Sequence, residues 1–92
     1  MARNDTLFSL RALSTDGPTV RVAVAASRAV GGAVQRNRAR RRVREAVRTV
    51  LAARPDPASG ADLVVTVRKA ALDAPAALVR GAVARQLEAL LE

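Results

Sequence analysis

The chain has 92 residues and a net charge of +8, with neither cysteine nor histidine. That length fits one domain, 1–92, with one modest core. The absence of cysteine and histidine excludes a disulfide framework and any thiolate or imidazole metal site. So large a charge excess calls for a polyanion, either nucleic acid or an acidic membrane surface. Lys69 is the sole lysine, so the positive charge is carried by guanidinium groups, which grip phosphate in a bidentate way. A GC-rich codon bias, which also favours alanine, explains arginine over lysine equally well, but not the net excess. No apolar run approaches the ~18 residues of a membrane span. Asn4 and Asp5 follow Arg3 with no long apolar stretch behind them, unlike a signal peptide. A cytoplasmic location without a membrane partner is the expectation.

In chain order, Thr6 to Leu13 reads as a strand, with Phe8, Leu10 and Ala12 alternating against Ser9, Arg11 and Leu13. Ser14, Thr15, Asp16, Gly17 and Pro18 are turn chemistry. A second strand is expected over Thr19 to Ala26, with Val20, Val22 and Val24 on one face. Two strands around a short turn predict an antiparallel hairpin. Ser27 to Gly32 breaks the pattern, and Gly31 and Gly32 relax the backbone. From Ala33 to about Ala53 the period becomes helical, with Ala39, Val43, Ala46, Val47 and Val50 on one face. Pro55 and Pro57 end this helix, and Ala58, Ser59 and Gly60 continue the loop. Asp62 to Arg68 has a nearly continuous apolar middle, which predicts a strand buried on both faces. Asp73 and Pro75 mark a last helix, with an apolar stripe of Val79, Ala82, Val83, Leu87, Leu90 and Leu91. The order is β-β-α-β-α, an α+β chain whose helices pack on a sheet.

The first helix carries the signal. Arg36, Arg38, Arg40, Arg41, Arg42, Arg44 and Arg48 are seven arginines in thirteen positions, against one acid, Glu45. At 100° per residue, Asn37, Arg38, Arg41, Arg44 and Arg48 fall opposite the valine stripe. Such a row tracks a phosphate backbone and releases its counterions. A merely solvated face normally mixes signs, and a membrane-surface helix wants Trp, Phe or Leu where this one has Val and Ala. Arg41 and Glu45 stand at the spacing of an ion pair.

The stretch from Gly31 through Arg36-Asn37-Arg38, Arg40, Arg41 and Arg44 to Glu45 resembles the signature of bacterial ribonuclease P proteins. The family pattern is Gly-x-Ala-Val-x-Arg-Asn-Arg-x-Lys/Arg-Arg-x-Leu-Arg-Glu, after a strand ending in Ser-Arg, here Ser27-Arg28; only its leucine is changed, to Val43. The resemblance covers about Leu7 to Leu91 and implies a ribonuclease P protein-like α-β sandwich, a fold shared with the second domain of a ribosomal protein. It also implies a left-handed βαβ crossover. The family's basic N-terminal helix and first strand are expected to be absent here. The implied function is that of a subunit without catalytic residues of its own. It would bind the catalytic RNA and the 5′ leader of precursor tRNA for tRNA 5′ maturation, with Mg²⁺ held by the RNA; no protein partner is implied, and the residues themselves point to no metal held by the protein. The RNA-binding residues implied are Arg28, Gly31, Arg36, Asn37, Arg38, Arg40, Arg41, Arg44 and Arg48, with Phe8 the candidate for the leader cleft.

Several residues keep two readings. Gly31 and Gly32 serve either a close approach to phosphate or a plain strand-to-helix turn. Asn37 bonds RNA or its own helix, and Phe8 stacks on a base or fills the core. Asp5, Asp16, Asp56, Asp62 and Asp73 sit at turns or caps, without catalytic or metal-ligand spacing. The competing functions are another basic RNA- or DNA-binding protein, ribosomal or architectural, and a cationic membrane-active protein.

Overall fold

The computed structural model describes residues 2–17, 19–53 and 60–91. Among the described residues four strands form one sheet: β1 (Ala2–Asn4), β2 (Phe8–Thr15), β3 (Val20–Ala26) and β4 (Gly60–Val67). Among the described residues the helices are α1 (Ala33–Ala52) and α2 (Ala76–Leu91), with 3₁₀ turns at Arg28–Val30 and Lys69–Ala71. The expected β-β-α-β-α order is present, but β1 precedes it, where the expectation of a missing first strand left no strand ahead of Thr6. β1 pairs antiparallel with β2, Arg3 opposite Leu10. Asp5 shapes the turn between them. Its Oδ1 accepts the Leu7 N–H at 3.1 Å, and its own N–H donates to the Phe8 carbonyl at 2.8 Å.

The predicted hairpin of β2 and β3 does not form. The spatial order is β1-β2-β4-β3, so β4 lies between them, antiparallel to β2 and parallel to β3. Gly60 makes the insertion possible. Its N–H donates to the Gly17 carbonyl at 2.7 Å. A Cβ there would sit 2.3 Å from the Gly17 oxygen and 2.5 Å from that of Thr19, so a larger residue could not start the strand in this mouth. The central place also suits composition. Ala61, Leu63, Val65 and Val67 point into the core, and a central strand pairs its backbone on both sides.

Among the described residues the sheet is covered on one face only. Phe8, Leu10, Val24 and the inward residues of β4 meet Ala39, Val43, Ala46 and Val47 of α1 and Val79, Ala82, Val83 and Leu87 of α2. The helical stripes read from the sequence are therefore the buried ones, with Val50 partly buried at the edge; the side chains of Leu90 and Leu91 lie outside the described residues. β4 is not buried on both faces as expected: Val64 is 45% exposed. Its outward positions hold Val64 and Thr66, which favour strands by shape and so mask the alternation. Asp62 is not a cap residue but a strand residue. It takes a two-pronged ion pair from Arg21 directly across the ladder, with both N···O distances 2.8 Å. Pro18, Pro55, Asp56, Pro57, Ala58 and Ser59, read as turn and loop, lie outside the described residues.

Candidate nucleic-acid interface

α1 begins at a backbone device. Gly31 has φ of +141°, and a Cβ there would come within 3.0 Å of Gln35 Cβ; only glycine takes this conformation without strain. The turn accounts for Gly31 by itself. Gly32 follows in extended backbone as the N-cap, with no side-chain cap, and its carbonyl accepts the Arg36 N–H at 2.9 Å. The Arg36 guanidinium turns back to donate to the Gly31 carbonyl at 3.1 Å, so this half-buried arginine braces the helix start.

The other arginines divide sharply. Arg42 is half-buried and donates to the carbonyls of Ala71 at 2.6 Å and Leu72 at 2.7 Å, and also to that of Ala74. It ties α1 to the segment that leads into α2. Arg40 donates to the Asn37 side-chain oxygen, so Asn37 is engaged by its own helix. Arg48 pairs with Glu45 at 2.5 Å. The expected pair of Glu45 with Arg41 is not made. An acid placed N-terminal to its cation is the better order along a helix axis, and Arg48 offers that order where Arg41 does not. The hydrogen bond and charge of Arg48 hold the Glu45 carboxyl below its ordinary value. Arg38, Arg41 and Arg44 are exposed, and none of them has a hydrogen bond or ion pair among the described residues. Arg28 is likewise exposed, in the 3₁₀ turn ahead of α1.

Two grooves flank this row. One, of about 580 Å³, runs between α1 and β3 and is lined by Val24, Val34, Asn37, Arg40, Arg41 and Arg44. The other, of about 500 Å³, lies between α1 and α2, and Arg38, Arg41 and Arg42 face Arg80 across it. Arg41 stands on the ridge between the two. The structure thus gathers Asn37, Arg38, Arg40, Arg41 and Arg44, leaves Arg48 occupied by Glu45, and puts Phe8 elsewhere. The Phe8 ring is 1% exposed and lies within the core, so it is closed to a stacking base. Arg80 carries no signal in the sequence, because a lone arginine beside an apolar stripe means nothing without its neighbour across the groove. Among the described residues no cluster of three or more acidic side chains could hold a metal ion, and no helix is long and apolar enough to cross a membrane.

A family model described as Ribonuclease P matches residues 2–91. The chain belongs to the Ribonuclease P family. A ribonuclease P protein component of Chloroflexus aurantiacus is 57% identical over 58 residues, 62% of this chain and 41% of that protein. That of Symbiobacterium thermophilum is 51% identical over 59 residues, 64% of this chain and 49% of that protein. The matched stretch thus spans less than half the length of either relative. Among solved structures, the ribonuclease P protein of Thermotoga maritima superposes with a TM-score of 0.74 at 25% identity, covering 99% of this chain and 80% of that one. The Staphylococcus aureus protein gives 0.75 at 16% identity, covering 98% and 80%, a likeness of fold.

Proposed function

We propose that the chain is the protein subunit of a bacterial ribonuclease P and binds the catalytic RNA through the outer face of α1. The observation that carries this reading is the contrast within one helix. Arg36, Arg40, Arg42 and Arg48 are committed to partners within the chain, whereas Arg38, Arg41 and Arg44 point outward with none among the described residues. Three like charges on one helix face repel one another, and a phosphate backbone turns that cost into attraction. Hydrolysis of precursor tRNA at the 5′ end of the mature sequence belongs, on this reading, to the RNA and the Mg²⁺ it holds, and the protein supports it by binding. Leader contact through stacking on Phe8 is not part of the reading, since that ring is in the core.

The test is reconstitution. The chain is added to a transcribed bacterial ribonuclease P RNA at low Mg²⁺, and precursor-tRNA cleavage is measured. Cleavage should rise with the wild-type chain. The triple variant Arg38→Ala, Arg41→Ala, Arg44→Ala should bind the RNA about a hundredfold more weakly at 0.15 M salt, each lost phosphate contact being worth about fivefold. Equal support by the triple variant, with unchanged affinity, would remove α1 as the RNA-binding helix.

A further inference from the structure

The groove between α1 and α2 holds more positive charge than the fold needs. Arg38, Arg41 and Arg42 line it from α1 and Arg80 from α2. Among the described residues the one acid on its wall is Glu45, already taken by Arg48. Arg42 cannot swing away, because the carbonyls of Ala71 and Leu72 hold its guanidinium at 2.6 and 2.7 Å. Its charge is therefore a fixture of the groove. Arg38, Arg41 and Arg80 are exposed and, among the described residues, have no hydrogen bond or ion pair. Ala76 and Val79 line the groove beside Arg80. They bring the first turn of α2, the positive end of its axis, to the same space.

We infer that this groove seats a phosphodiester of the bound RNA, with Arg80 closing on it from α2 opposite Arg38 and Arg41. The inference rests on the reading of α1 as the RNA-binding helix and extends it. An RNA strand that meets Arg41 crosses onto α2 instead of continuing only along α1. Arg80 is then a binding residue on a second element, and Arg42 has two effects from one position, tying the two helices together and charging the cleft between them.

The experiment titrates the wild-type chain, Arg80→Ala, Arg80→Lys, Arg41→Ala and Arg85→Ala into a transcribed bacterial ribonuclease P RNA at two salt concentrations. Arg85 is also on α2 but lies beside Asp5, at 4.0 Å, so its variant controls for net charge. Arg80→Ala should weaken binding about fivefold at 0.15 M salt and flatten the slope of log K against log salt by about one, with the melting temperature unchanged. Arg80→Lys should keep the slope, because the point charge remains. Arg85→Ala should leave both nearly as they are. Equal losses for Arg80→Ala and Arg85→Ala would overturn the groove. So would a thermal shift by inorganic phosphate that depends on Arg80 in a variant whose RNA binding is intact, which would make the groove a free-anion site. If Arg41→Ala weakens binding and Arg80→Ala does not, the groove alone falls. If both are silent, the reading of α1 falls with it.

Discussion

The outer face of α1 and the flank it turns toward residues 69–74 carry the same side-chain chemistry and use it in opposite ways. Arg41 and Arg42 are adjacent in the chain. Arg42 is half-buried against three backbone carbonyls, where a charge-assisted donor satisfies acceptors left open at the end of a 3₁₀ turn. Arg41 stands between two grooves with no partner among the described residues. A count of arginines therefore overstates the surface open to a ligand. What decides the role of each guanidinium is what lies within reach of it after folding.

The comparison can be broken in three ways, the largest effect first. Val43 is fully buried at the centre of the inner face of α1. Val43→Ala should destabilise the domain by about 2 kcal/mol through lost burial and the cavity left behind, read as a lower denaturation midpoint. RNA affinity measured below the transition should stay as in the wild type. Loss of RNA binding by the folded variant would mean that the two faces are not separable.

Arg42→Ala should cost about 1.5 kcal/mol of stability, since it leaves partly buried carbonyls without donors. Arg41→Ala should shift the melting temperature by no more than a surface substitution does, about 0.5 kcal/mol in either direction. Thermal melts of the two variants side by side check this. Equal melting temperatures would erase the distinction between the braced and the uncommitted arginine.

The smallest effect is on pH. Glu45 and Asp62 both have carboxyl groups held below their ordinary values, first by the hydrogen bonds from Arg48 and Arg21. A lowered folded value means that each pair contributes above the ordinary value, 4.5 for Glu45 and 3.8 for Asp62. The contribution is lost as the pH falls further, through the folded value. Both pairs are exposed, so the loss is slight. Melting temperatures measured from about pH 6 down to pH 3 should fall less steeply for Glu45→Gln than for the wild type. A steeper fall in the variant would reverse the sign assigned to this pair.

Local pattern determines much of this protein by itself. The 3.6-residue period of Ala39, Val43, Ala46 and Val47, and that of Val79, Ala82, Val83 and Leu87, define both helices and their buried faces. The reason is that a helix in a small domain has only one apolar stripe to bury. The same period puts Arg38, Arg41 and Arg44 outside, so the candidate interface is legible from residue spacing alone. The signature from Gly31 to Glu45 points to the family. Only the tertiary structure decides which strands are neighbours. Period-two alternation reports which face is buried but not which partner lies beside it, and the insertion of β4 depends on a close approach at Gly60, which in the sequence looks like one more loop glycine. Only the fold, too, separates Arg42 from Arg41, draws Glu45 to Arg48, brings Arg80 to the groove and closes the core over Phe8. Each of these depends on groups far apart in the chain or on the competition between two near neighbours, and spacing along the sequence carries no information about distance across the core.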